Sequence, residues 1–115
     1  MKYMLLIYGN QATWDAMGEE DYRAHATLIE ELTESGELVA TEGLTTLDAR
    51  TVRAPGGVPV VTDGPFTEAK EVLAGYYLVD CGSLARATEI AGRLPETRLS
   101  LVEVRRIMDK AEIGI

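Results

Sequence analysis

Val61-Thr62-Asp63-Gly64-Pro65-Phe66-Thr67-Glu68-Ala69-Lys70-Glu71-Val72-Leu73-Ala74-Gly75-Tyr76-Tyr77 sets a turn between two stretches that read as strands. Asp accepts backbone N–H bonds in a turn, Gly takes positive φ, and Pro fixes the next φ. Asp63-Gly64-Pro65-Phe66 therefore reverses the chain. Beyond it, Glu71 to Asp80 reads as a long strand, softened at Gly75. Before it, Thr51 to Ala54 and Val58 to Thr62 flank Pro55-Gly56-Gly57, a tight reversal that makes a β-hairpin.

Working outward, Lys2 to Tyr8 is apolar on both alternating faces. Tyr3, Leu5 and Ile7 point one way, and Met4, Leu6 and Tyr8 the other. A strand wet on one side would alternate apolar with polar, so this one is expected to be covered on both. Gly9 to Gly18 reads as a loop. Glu19 to Ser35 reads as a helix, with Glu19, Glu20 and Asp21 where the helix dipole favours negative charge and Gly36 as its stop. Tyr22, Ala26, Ile29, Leu32 and Thr33 form its expected inner stripe. Glu37 to Leu44 is a strand with Leu38, Ala40 and Leu44 on one face. Ser83 caps a second helix carrying Leu84, Ala87, Ile90, Ala91 and Leu94, which Pro95 ends. Ser100 to Met108 is the last strand, with Val102 and Val104 opposite Glu103 and Arg105. Asp109 to Ile115 shows no pattern.

The order β, α, β, hairpin, β, α, β predicts an α+β two-layer sandwich: a mostly antiparallel sheet, two helices on one face, and an inserted β-hairpin. The helix-free face stays partly apolar. A second copy of the chain would cover it, with twofold symmetry.

The 115 residues suit one domain, and 46% apolar content is ordinary for a globular chain. A net charge of −8 repels phosphate backbones and anionic membranes, which argues against nucleic-acid or membrane partners. The single cysteine, Cys81, rules out an intramolecular disulfide and suits a reducing compartment. The apolar N-terminus is too short to span a membrane and lacks a cleavage site, so the cytoplasm is the expected location.

His25 is the only histidine. It falls one turn after Tyr22 and one turn before Ile29, so it should face the sheet. It is then either a neutral core histidine with one hydrogen-bond partner or a general acid/base at a pocket edge. Asp63 is either a turn residue or a second pocket group. Phe66 plugs the loop onto the core or contacts a ligand. Tyr8, Tyr22, Tyr76 and Tyr77 bring hydroxyls to the sheet faces, and one of them could donate to a substrate oxygen. Trp14 either covers a pocket mouth or pins its loop. Thr62, Thr67, Glu68 and Lys70 are polar groups beside Asp63, explained equally by solvation. One His and one Cys leave no zinc set. Gly56-Gly57 lacks the Lys-Ser/Thr of a phosphate loop, and no Gly-x-Ser-x-Gly elbow exists. Asp80 beside Cys81 disfavours a thiolate. No metal or organic cofactor is expected.

The stretches Met1 to Tyr8, Arg23-Ala24-His25, Gly36-Glu37-Leu38, Thr62 to Phe66 running into Glu71 to Asp80, and Ser100 to Arg105 together resemble the DGPF branch of the YCII-related family. The resemblance covers nearly the whole chain. It implies a ferredoxin-like fold that pairs into dimers, in a superfamily that includes small-ring lactone isomerases and a dehydrochlorinase of chlorinated hydroquinones. It also implies an acid/base pair in which His25 matches the family histidine. The partner aspartate of those proteins lies in an Asp-Pro pair after the second helix, where this chain has Leu94-Pro95. Either Asp63 supplies the acid from the turn, or the pair does not operate. Many DGPF-type proteins are also similar to partners encoded beside alternative sigma factors, which implies a non-catalytic binding module in stress or transcription control as the other reading.

Overall fold

In the computed structural model, residues 1–65 and 70–115 are described, and Phe66, Thr67 and Glu68 lie outside them. Strand β1 (Lys2–Gly9) is central, antiparallel to β5 (Val72–Asp80) on one side and to β6 (Leu101–Arg106) on the other. Strand β2 (Leu38–Gly43) pairs antiparallel with β5, giving the order β2-β5-β1-β6. Tyr3, Leu5 and Ile7 of β1 and Tyr77 and Val79 of β5 are buried on one face. Helix α2 (Glu19–Ser35) covers them with Leu28 and Leu32, and α3 (Leu84–Gly92) with Ala87, Ile90 and Ala91. Val102 and Val104 of β6 pack against the same core, as their alternation with Glu103 and Arg105 predicts. The fold is the expected α+β sandwich with an antiparallel sheet.

The opposite face of the sheet carries Met4, Leu6, Tyr8, Tyr76 and Leu78, all half-buried. The hairpin of β3 (Arg50–Arg53) and β4 (Val60–Asp63) forms a separate two-stranded sheet, with Val52, Val60 and Val61 exposed.

Several expectations need correction. The segment Gly9 to Gly18 contains a helix, α1 (Gln11–Ala16), because Asn10 and Thr13 exchange side-chain-to-backbone bonds in a capping box. Two further short helices are α4 (Glu96–Leu99), which Pro95 opens, and α5 (Lys110–Ile113), which Asp109 caps. The inner stripe of α2 is rotated: Leu28 and Leu32 are buried and His25 and Ile29 half-buried, while Tyr22, Ala26 and Thr33 are exposed. In β2 a register shift falls between Leu38 and Ala40. Leu38 therefore opposes the buried Val79, and Ala40 opposes Leu78 on the helix-free side, so they do not share a face.

A bidentate ion pair ties the residue just before β2 to α3. The Arg86 guanidinium donates to both carboxylate oxygens of Glu37, from Nε at 2.9 Å and from Nη2 at 2.8 Å. These bonds hold the Glu37 carboxyl down to about 2, against 4.5 ordinarily. A depressed acid stabilises the fold above its unfolded value, and that stability fades as pH falls through the folded value. Glu37→Gln should cost about 1–2 kcal/mol at neutral pH. Denaturant melts of both proteins should show that gap shrinking between pH 4.5 and pH 2. A gap that stays constant to pH 2 would mean that it does not come from the ionised Glu37–Arg86 pair.

Candidate active site

His25 sits in the second turn of α2, its side chain 18% exposed, above β5. Both ring nitrogens are engaged. Nδ1 lies 2.6 Å from the Tyr77 hydroxyl, and Nε2 lies 2.9 Å from each carboxylate oxygen of Glu96. A carboxylate only accepts, so Nε2 carries the proton of the neutral ring. The tyrosine hydroxyl then donates to the lone pair on Nδ1. If the ring gains a second proton, Nδ1–H donates to the same hydroxyl oxygen and Glu96 faces an imidazolium. The surroundings therefore satisfy both protonation states, which is what a proton-carrying imidazole needs.

Each partner is held by its own element. Tyr77 is 2% exposed on β5, directly opposite Leu5 on one side and Thr41 on the other. Burial first, then the charge of Glu96, pushes its phenol well above the ordinary value, while Thr41 pulls the other way. Glu96, its side chain 12% exposed, opens α4. The C-terminal half of that short helix is anchored twice. Arg98 pairs with Asp21, one turn before His25 on α2, and the Ser100 hydroxyl donates to the Tyr8 carbonyl of β1 at 2.6 Å. The Gly18 N–H first, and Arg98 after it, lowers the Asp21 carboxyl below its usual range.

The imidazole, the phenol and the carboxylate open onto a hollow of about 300 Å³ between α2 and the strand ends of β2 and β5. Ile7, Trp14, Met17, Tyr22 and Ile29 supply its apolar lining. Gly75 forms part of the wall, paired with Gly43 of β2. A Cβ there would stand 2.9 Å from the Glu42 carbonyl oxygen, so only glycine fits. Among the described residues no group of three His, Cys, Asp or Glu side chains could hold a metal ion, and no helix is long and apolar enough to cross a membrane.

The structure brings together His25, Tyr22, Tyr77 and Trp14 of the residues singled out from sequence. Asp63 is elsewhere. Its carboxylate, 91% exposed, pairs with Arg50 across the β3–β4 hairpin at 3.2 Å. Glu96, one residue beyond Pro95, stands against the imidazole in its place. Tyr8 is also elsewhere, on the helix-free face with its hydroxyl 3.3 Å from Glu103. Tyr22 reaches the hollow although it is 60% exposed, because the rotated stripe puts it at the rim. Phe66 lies outside the described residues. Cys81 is buried, its thiol 3.5 Å from the Ser83 carbonyl. Glu96 was missed because Pro95 reads as a helix end, and a carboxylate 71 positions from His25 leaves no local mark.

The family model described as "YCII-related domain" matches residues 1–111. The chain belongs to the YCII-related family. Uncharacterized protein R00369 of Rhizobium meliloti (strain 1021) is 38% identical to this YCII-related chain over 96 residues, covering 79% of it and 77% of the relative. A solved structure with the same fold is 5-chloro-2-hydroxyhydroquinone dehydrochlorinase (TftG) from Burkholderia phenoliruptrix AC1100, in complex with 2,5-dihydroxybenzoquinone. It superposes with a TM-score of 0.56 at 15% identity, covering 97% of this chain and 98% of that one. At that identity the likeness speaks for the ferredoxin-like sandwich and not for the reaction.

Proposed function

We propose that this YCII-related protein is a cofactor-independent acid/base enzyme that moves a proton on a small cyclic molecule, in an isomerase- or lyase-type reaction. The observation that carries this reading is the imidazole of His25, clamped between Tyr77 and Glu96 on the wall of an apolar hollow. A histidine kept only for packing has no need of a desolvated carboxylate at 2.9 Å. The hollow lies at the small end of the range for ligand pockets, roughly 300–1,000 Å³, which suits a single ring. An oxygenated six-membered ring, the class that TftG is described as acting on, supports the choice by analogy of fold. The test uses 2,5-dihydroxybenzoquinone and a set of hydroxylated quinols and small lactones in D2O, read by NMR. Saturable binding and enzyme-dependent exchange of a carbon-bound proton are expected with at least one compound. Neither binding nor exchange with any of them would overturn the reading.

We also infer a homodimer, joined through the helix-free sheet face. The chain exposes 7696 Å². A compact monomer of 12.5 kDa exposes about 6,200 Å². Its radius of gyration is 16.2 Å, where about 13 Å is usual for this length. The excess, about 1,500 Å² per chain, is more than the roughly 800 Å² that a standard interface removes from each partner. It goes with an apolar sheet face and a projecting hairpin. Light scattering at micromolar concentration should give twice the 12.5 kDa chain mass. The monomer mass would refute the dimer.

A further inference from the structure

We propose that the phenol oxygen of Tyr77, and not the imidazole, exchanges the proton with the bound molecule, with His25 and Glu96 forming a relay behind it; this rests on the acid/base reading above.

The imidazole has no nitrogen free to meet a substrate. Nε2 is held by both oxygens of Glu96, and Nδ1, the basic nitrogen, lies 2.6 Å from the Tyr77 oxygen. No third atom fits within a bond that short. A substrate could reach Nδ1 only by evicting Tyr77, and that side chain is locked in β5 between β1 and β2. The Tyr77 hydroxyl belongs to the same hollow and has a second lone pair to offer. Its ring also stacks on the imidazole, centroids 5.8 Å apart and planes 28° from parallel.

The step balances without an oxidant or reductant. An O–H or C–H proton of the bound molecule passes to the Tyr77 oxygen. The phenol's own proton passes at the same time to Nδ1. The imidazolium so formed, with its Nε2–H, is held by the Glu96 carboxylate. The bound molecule keeps the electron pair as an oxyanion or enolate, and protonation at a new position runs the chain in reverse. Because burial disfavours a free phenolate at Tyr77, both transfers belong to one concerted event.

The single histidine makes this measurable in the wild-type protein, since long-range ¹H–¹⁵N correlations report one imidazole. The expected pattern is the Nε2–H form, with a slowly exchanging tyrosine hydroxyl proton coupled to Nδ1. In Tyr77→Phe the Nδ1 signal should move toward that of a free lone pair, with Nε2 unmoved. With 2,5-dihydroxybenzoquinone as probe, Tyr77→Phe should bind within about threefold of wild type yet lose about 10²-fold or more in ring-proton exchange. An Nδ1–H form in the wild type, an Nδ1 signal unmoved by Tyr77→Phe, or full exchange activity in that variant would each overturn the relay. If the wild type neither binds nor exchanges the probe while the nitrogen signals behave as described, the hydrogen-bonded chain stands and it is the acid/base reading of the site that falls.

Discussion

Glu96→Gln should slow proton exchange on a bound ring compound by about 10²–10⁴-fold while leaving its affinity nearly unchanged. The substitution keeps the volume of the side chain. Its amide oxygen can still accept from Nε2–H, so the ring stays in place. What disappears is the negative charge that the imidazolium faces once it has taken a proton. That charge acts in a site where both side chains are mostly withdrawn from water, so the loss falls on the transition state and not on binding. Part of the upward push on the Tyr77 phenol would vanish as well, because the charge of Glu96 is its second cause. Steady-state exchange rates over a range of probe concentrations separate the two effects: the maximal rate should fall and the half-saturating concentration should hold. An unchanged maximal rate would show that Glu96 only props the ring. Asp63→Asn is the matching control. Its carboxylate is solvated beside Arg50, so the exchange rate should equal that of the wild type.

The boundaries of α2 were legible because acidic residues fill its first turn and Gly36 takes φ 79° at its end, both local requirements. The inward phase of His25 was legible from spacing, and Leu32 with it, although the stripe around them left out Leu28 and took in the exposed Tyr22, Ala26 and Thr33. The short helix α1 was not, although Asn10 and Thr13 carry a capping pair. The second member is a threonine where the recognised pattern has Glu or Gln, and six residues are too few for a periodicity. In β2 the register shift at Val39 breaks the period of two, and nothing in Leu38-Val39-Ala40 announces it. Glu96 was hidden for a third reason. A proline that closes one helix can open the next, where its missing N–H costs nothing. The carboxylate then meets His25 through tertiary placement alone, set by the Asp21–Arg98 pair and by Ser100 on the Tyr8 carbonyl. The turn chemistry of Asp63 is local and conspicuous, and Gly64 does take the left-handed φ of 93° that the turn requires.

Leu5→Ala should cost about 2–5 kcal/mol of stability and lower the melting temperature by on the order of 10–20 °C. Leu5 is 0% exposed on the central strand, with Tyr77 directly opposite on β5 and Val104 on β6. Truncation removes its buried methyl groups and leaves a void where helices and sheet meet, and strands paired on both sides cannot close in to fill it. The void would adjoin the ring whose hydroxyl holds Nδ1 of His25. The same substitution should therefore broaden the tyrosine–imidazole hydrogen-bond signal at temperatures where the protein is still folded. Denaturant melts give the first effect, and nitrogen spectra well below the transition give the second. A cost under about 1 kcal/mol would mean that the core relaxes around the missing side chain. A full cost with an undisturbed imidazole would mean that α2 and α4 hold the site without help from the sheet beneath.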